Sequence, residues 1–286
     1  MIQFSYYPGC SLSGTAREFG LSTERVCREL GVELLEIPDW NCCGASSAHC
    51  TSKLLALALP ARNLALAKPA GRPIAVPCAA CYNRMRRAAN AVQRDPELRG
   101  EIERLMGVDL KDPVPVRHLL EVFVSEIGVE KIKERVKAPL SGLKAAAYYG
   151  CLLVRPKEET GFDDVENPQT LDEIISACGA EPVRWFFKVE CCGGGLAVPR
   201  PDIVSRLCQR IVQHARDAGA ECIVTSCPLC QFNLDTRQGE LGMPIIYFTQ
   251  LIGLALGLSP RELSLHTHVT DTSAVRRRAP AEAPPA

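Results

Sequence analysis

The sequence lacks an excess of charge of either sign: 33 basic residues face 33 acidic ones, for a formal net charge of zero over 286 residues. No overall field draws in a polyanion, so nucleic acid is not an expected partner. Long hydrophobic runs are also missing. LLALALP at 54–60 and LIGLALGL at 251–258 fall well short of the roughly 20 residues a spanning helix needs, so both read as core helices and no direct membrane span is expected. The start, MIQFSYYPGC, has none of the basic, apolar and small-residue regions of an export signal, which predicts a cytoplasmic protein. Neither G-x-x-x-x-G-K-S/T nor G-x-G-x-x-G accompanies Gly193 to Gly195. The chain is therefore expected to bind no nucleotide and to have no electron source of its own.

What is present in quantity is cysteine. At 47% hydrophobic and 23% charged the chain is globular, long enough for one large core or two modest ones. Fifteen cysteines, an odd number in a reducing compartment, point away from structural disulfides and toward metal ligation or thiol chemistry.

Ten of the fifteen fall into two sets of five. Cys10, Cys42, Cys43, Cys78 and Cys81 are separated by gaps of 31, 34 and 2 residues around the adjacent pair. Cys151, Cys191, Cys192, Cys227 and Cys230 are separated by gaps of 39, 34 and 2. Two of the three gaps are identical, which marks an internal duplication. The flanks agree: FSYYPGC is answered by KAAAYYGC, NCCGAS by ECCGGG, and PIAVPCAAC by CIVTSCPLC.

Periodicity predicts strands at 2–7, 33–36 and 73–76 with helices at 15–30, 53–68 and 81–94. The second half repeats this with strands at 143–149, 181–185 and 222–225 and helices at 168–179, 201–218 and 230–236. Strands alternating with helices imply the α/β class with parallel sheets. The expected organisation is a first domain at 1–94, a helical connection at 95–140, a second domain at 141–258, and a largely disordered tail at 259–286. Ligands of such sheets gather beyond the carboxyl ends of the strands, where Cys10, Cys78, Cys151 and Cys227 fall. Helices beginning after Cys81 and Cys230 would turn N–H groups toward thiolates or an anionic centre.

Adjacent thiols suit neither a disulfide between neighbours nor one tetrahedral ion. Zinc takes four ligands, and its ribbons pair C-x2-C units about 15 to 20 residues apart; here the two units lie 145 residues apart. The ferredoxin run C-x2-C-x2-C-x3-C-P is absent. Five thiols suit a larger, less symmetric iron–sulfur assembly, or four ligands and one thiol that faces a substrate.

Two copies of C-x(31 to 39)-CC-x(34)-C-x2-C resemble the tandem CCG-domain proteins and, within them, the catalytic HdrB subunit of heterodisulfide reductase. The resemblance runs from residue 1 to about 258 and includes both motifs. It implies two duplicated CCG domains related by a pseudo-two-fold axis, each a small parallel sheet with flanking helices. It also implies two noncubane 4Fe–4S clusters, one held by Cys10, Cys42, Cys43, Cys78 and Cys81, the other by Cys151, Cys191, Cys192, Cys227 and Cys230. The implied function is reduction or formation of a small-molecule or protein disulfide, with electrons from a ferredoxin-like subunit that holds cubane 4Fe–4S clusters and, behind it, a flavin subunit. Relatives attached to succinate, lactate or glycolate dehydrogenases imply an alternative, an electron-transfer subunit with no substrate of its own.

Of the remaining cysteines, Cys27, Cys178, Cys208 and Cys222 are expected to be buried core thiols, with Cys50 near the first cysteine pair. His49, beside that pair, is a candidate for contact with a cluster sulfur or substrate. Arg84, Arg86, Arg87 and Arg155 are candidates for an acidic ligand, against the ordinary reading of a solvated helix face.

Overall fold

The computed structural model describes residues 2–45 and 47–278. Among them the chain builds two parallel four-stranded sheets of the same topology. In the first, β1 (Ile2–Tyr6), β2 (Val32–Glu36), β3 (Ile74–Val76) and β4 (Val116–His118) lie in the order β2-β1-β3-β4. In the second, β5 (Lys144–Tyr148), β6 (Glu181–Pro182), β7 (Cys222–Thr225) and β8 (Ile245–Tyr247) lie in the order β6-β5-β7-β8. Every residue of β3, β7 and β8 is buried, as expected of parallel strands covered on both faces by helices. Among the described residues no helix is long and apolar enough to cross a membrane.

This strand order reverses direction between β1 and β3, and again between β5 and β7. Such a switch point opens a crevice beyond the carboxyl ends of the two strands. Cys10 and Cys78 follow β1 and β3, and Cys151 and Cys227 follow β5 and β7. The topology thus brings residues far apart in sequence to one rim in each half.

The structure departs from the expected elements at β4, β8 and β6 and at the starts of the helices after β3 and β7. β4 and β8, three residues each, are additional to the expected strands: both run straight into a leucine-rich helix, so neither shows an alternation of its own. β4 also places part of the 95–140 connection inside the first sheet. β6 is shorter than 181–185, because the Trp185 indole N–H donates to the Ala147 carbonyl at 3.0 Å, the acceptor a longer strand would use. The helices after β3 and β7 begin at Ala79 and Pro228, two residues earlier than expected. Proline fits the first helical position, where its missing N–H has no partner to lose. Cys78 and Cys227 therefore stand just ahead of each helix, and Cys81 and Cys230 lie within its first turn.

Contrary to the expectation of a disordered tail, residues 259–278 pack on the second half. Leu263, Leu265 and Val275 are buried, and the Asp235 carboxylate accepts the amides of Val269 at 2.8 Å and Thr270 at 3.0 Å. The segment has few apolar residues, but Leu263, Leu265 and Val275 among them are buried, and polar groups such as the Val269 and Thr270 amides find partners. Residues 279–286 of that expectation lie outside the described residues.

The two halves share a buried interface. Phe19 stacks on Tyr247 at 4.2 Å between ring centroids, Phe123 meets Phe248 edge-on at 5.2 Å, and the Ser22 and Thr249 hydroxyls lie 2.7 Å apart. On the cysteine side, the Tyr82 hydroxyl donates to Thr160 O at 2.9 Å, and the Asn83 amide reaches Leu152 O and Arg155 O. Arg86 donates to Glu159 O at 2.9 Å. The Ala79–Arg94 helix of the first half is thereby held to the loop after β5 of the second.

Candidate metal centres and the cavity between them

Each set of five cysteines converges, and in the same way. Cys10 and Cys42 are exposed with sulfurs 3.8 Å apart, while Cys43 and Cys81 are buried with sulfurs 3.1 Å apart. In the second half the Cys151 and Cys191 sulfurs are 3.8 Å apart, and those of the buried Cys192 and Cys230 are 3.4 Å apart. Cys78 and Cys227, both buried, face each other across the junction of the halves, near enough that each shifts the other's pKa, Cys78 up and Cys227 down. The two sets are therefore contiguous.

Local structure explains the convergence. Gly9 and Gly150, each ahead of the first cysteine of its set, have φ of +69° and +68°, a region that disfavours side chains. A Cβ at Gly9 would lie 3.4 Å from the Cys81 sulfur, and one at Gly150 only 2.9 Å from the Cys230 sulfur. After the cysteine pairs, the amide of Gly44 donates to Cys42 Sγ at 3.5 Å and that of Gly193 to Cys191 Sγ at 3.3 Å. Tyr7 and Tyr148, each three residues ahead of the first cysteine, donate to the carbonyls of Asn41 and Glu190, just ahead of each cysteine pair. Sequence reasoning missed both tyrosines, although the repeated Y-x-G-C at 7–10 and 148–151 carries the signal.

The electrostatics reflect crowded thiols. Cys43 is pulled down to about 4 by hydrogen bonds from Cys42 and then Cys81, while Cys42 is pushed up by its hydrogen bond with Cys43. Cys191 is pulled down to about 6 by the Cys151 thiol and the amides of Gly193 and Gly194, against burial. Cys151 rises in turn. One thiol keeps the proton its neighbour gives up, since five bare thiolates side by side would repel. Such a donor set calls for bound cations.

The donors are all sulfur, and soft thiolates select zinc, copper(I) or iron–sulfur centres. Among the described residues no three His, Cys, Asp or Glu side chains close around a single ion. Instead, pairs of sulfurs spread along a rim, which fits a polynuclear assembly better than one tetrahedral ion.

Between the halves lies a cavity of about 250 Å³. The second half lines it with all five cysteines of its set, Cys151, Cys191, Cys192, Cys227 and Cys230. The first half contributes Ala45, His49, Ala79, Ala80 and Arg84, neighbours in sequence of its own cysteines. His49 therefore stands at the cavity, its Nδ1 3.5 Å from an Arg84 amino group. Of the four arginines considered from sequence, Arg84 alone lines it. Arg86 holds the Glu159 carbonyl, Arg155 pairs with Glu166 at 2.8 Å, and Arg87 is exposed. Cys27, Cys178, Cys208 and Cys222 are buried, as expected, and Cys50 is exposed. Cys208 is more than a core thiol, since it donates to Cys192 O at 3.6 Å.

The cysteine-rich domain family known as CCG matches residues 4–86 and 145–235. The chain belongs to this CCG family. Each matched segment contains one complete set of five cysteines. Over 283 residues this CCG protein is 35% identical to the 8-methylmenaquinol:fumarate reductase membrane anchor subunit of Wolinella succinogenes, covering 95% of this chain and 98% of that one. It is 32% identical over 281 residues to the HdrB subunit of the Ferredoxin/F(420)H(2)-dependent CoB-CoM heterodisulfide reductase of Methanosarcina acetivorans, covering 93% of each. A solved structure of a hypothetical protein from Helicobacter pylori superposes with a TM-score of 0.73 over 94% of this chain at 13% identity. The CCG chain spans about half of that structure, 52%, and the likeness is one of fold.

Proposed function

We propose that this chain is the catalytic iron–sulfur subunit of a heterodisulfide reductase-like complex in the cytoplasm. Cys10, Cys42, Cys43, Cys78 and Cys81 would hold one noncubane 4Fe–4S cluster, and Cys151, Cys191, Cys192, Cys227 and Cys230 a second. When bound, the clusters supply one-electron redox capacity on both sides of a disulfide, which is a two-electron couple. The net reaction takes one disulfide, two electrons and two protons to two thiols, or runs in reverse. Electrons come from a ferredoxin-like subunit, behind which stands a flavin subunit.

The observation that carries this reading is the shared cavity, with cysteines of one set in its wall and the neighbours of the other set opposite. The chain's own residues shape it for a small sulfur compound. Ala79, Ala80, Gly194 and Gly195 leave room where larger side chains would fill the space. The hydrogen bonds of Tyr82, Asn83 and Arg86, on the helix that carries Arg84, hold the two halves together. Gly9, Gly150, Tyr7 and Tyr148 keep the thiols converged.

A second reading is an electron-transfer subunit of a flavin dehydrogenase, and the 35% identity with a fumarate reductase subunit favours it. Anaerobic purification, with iron, sulfide and zinc measured per chain and spectra recorded with and without thiol, separates the two. About eight irons, four for each set, with a spectrum that responds to thiol, support disulfide chemistry. Iron without that response supports the relay, and zinc without sulfide overturns both.

A further inference from the structure

The free edge of the first sheet carries a pocket apart from the cysteine sets. β2 pairs only with β1. Between β2 and the Arg17–Glu29 helix lies a cavity of about 350 Å³, lined by none of the ten cysteines of the two sets. Glu24 and Arg28 line it from the helix, Glu33, Leu34 and Glu36 from β2, and Tyr6 from the end of β1. Three carboxylates face one guanidinium there, in a chain whose overall charge is zero.

The floor of the pocket holds an unsatisfied polar group. Tyr6 is 6% exposed, and its hydroxyl is buried without a hydrogen-bond partner. It lies in register with Glu36. Burial first, and then Cys27, Glu24 and Glu36, raise its pKa. All three of these neighbours line the pocket, so the hydroxyl is aimed into it. A buried hydroxyl left unbonded is costly, and the duplication shows that the fold does not demand one. Four residues ahead of Cys10 stands Tyr6, whereas four ahead of Cys151 stands Ala147.

The carboxylates have acceptor capacity in hand. Glu33 accepts the Gln3 side-chain amide and Glu36 the Trp40 indole N–H, both at 2.7 Å and each through one oxygen. Among the described residues Glu24 joins no ion pair, and neither does Arg28. Glu24 and Glu36 are exposed, which puts negative charge at the mouth and the phenol beneath it. A cation with N–H groups answers both, pairing with the carboxylates and donating to the phenol oxygen. Leu34 and the Tyr6 ring offer an apolar wall to a short alkyl chain. The volume sits at the low end of the roughly 300–1,000 Å³ usual for ligand pockets, so the ligand is small.

We propose that this pocket binds a small alkylammonium ion, its ammonium held by Glu24 and Glu36 and donating to the Tyr6 hydroxyl, its alkyl chain against Leu34. The site belongs to the first half alone. It is independent of disulfide chemistry at the cysteines.

Equilibrium dialysis of the full, cluster-loaded chain without oxygen tests this, with butylammonium, butanol and butyrate as probes. The three share an alkyl chain of similar length and carry positive, zero and negative charge. Butylammonium is expected to bind roughly tenfold or more tightly than butanol, the scale of a hydrogen bond to a charged group, with butyrate weakest. In Tyr6→Phe its affinity falls roughly fivefold, while the urea midpoint of unfolding holds or rises because the hydroxyl removed has no partner to lose. In Glu24→Gln, a change at an exposed residue, it falls roughly two- to fivefold. Butanol binding is the same in all three proteins. Equal binding of the three probes overturns the inference. So does a Tyr6→Phe chain that folds and keeps the full affinity for butylammonium, since the hydroxyl then meets no ligand. If Tyr6→Phe fails to fold, Glu24→Gln decides: an undiminished preference for the cation in that variant places its binding elsewhere and overturns the site.

Discussion

Tyr7 and Tyr148 make the same hydrogen bond in the two halves: Tyr7 donates to Asn41 O at 2.9 Å and Tyr148 to Glu190 O at 2.7 Å. Each ties the strand that ends at the first cysteine to the residue ahead of the cysteine pair. The losses on removal should differ, because Asn41 O also receives the Asn63 amide at 2.9 Å. Among the described residues no second donor reaches Glu190 O. Tyr7→Phe should therefore cost about 0.5–1 kcal/mol and Tyr148→Phe about 1–2 kcal/mol. Chemical unfolding of the two variants checks the order, and equal losses would count against a tethering role.

The glycines ahead of the first cysteines give a second asymmetry. Alanine at either position meets the same backbone penalty of about 1–2 kcal/mol for a left-handed conformation. The steric terms differ: the new Cβ would lie 2.9 Å from the Cys230 sulfur at position 150, but 3.4 Å from the Cys81 sulfur at position 9. Gly150→Ala should displace Cys230 and lower iron and sulfide per chain more than Gly9→Ala does. Metal analysis of the purified variants reads this directly.

Cysteines outside the two sets should divide sharply in reactivity. Burial pushes Cys27, Cys178 and Cys222 up to about 12, so at pH 8 only about one in ten thousand of each is thiolate, the reactive form. Cys50 is exposed. Brief treatment of the loaded protein with iodoacetamide should label Cys50 and leave the other three untouched until the chain unfolds. Peptide mass spectrometry gives the order, and early labelling of Cys178 or Cys222 would contradict the packing described.

How much of this is legible in the sequence depends on distance along the chain. The duplicated sheets can be read because β1, β3, β5 and β7 each lead into a cysteine, and both the adjacent pair and the C-x2-C unit are local patterns. β4 and β8 cannot, because three residues beside a helix carry no period, and their place is set by β3 and β7. Arg84 can be named, but not told apart from Arg87, because the difference is which side of the helix meets the second half. The segment 259–278 reads as disordered for a related reason: its composition is polar, and its hydrogen-bond partners lie on another helix, the Gln231 amide that donates to His268 and the Asp235 carboxylate that accepts from Val269 and Thr270.

Asp235 supplies the last prediction. Its carboxylate accepts the amides of Val269 and Thr270 and the Thr270 hydroxyl, which fastens the C-terminal segment to the Pro228–Arg237 helix that carries Cys230. Burial alone would raise the pKa, but hydrogen bonds with His268, with the Thr270 hydroxyl and with the two amides outweigh it and hold the carboxyl below its usual range. An acid depressed on folding stabilises the fold fully above its unfolded value, about 3.9, and loses that contribution as pH falls through the folded value. Hydrogen exchange at Val269 and Thr270, corrected for intrinsic rates, should show strong protection at pH 7 that weakens only below about pH 4. In Asp235→Asn the protection should be reduced already at pH 7 and show little further dependence on acid, because the group no longer titrates. If the variant protects these amides as well as the native chain does, the buried leucines alone hold the segment and Asp235 is not its fastening.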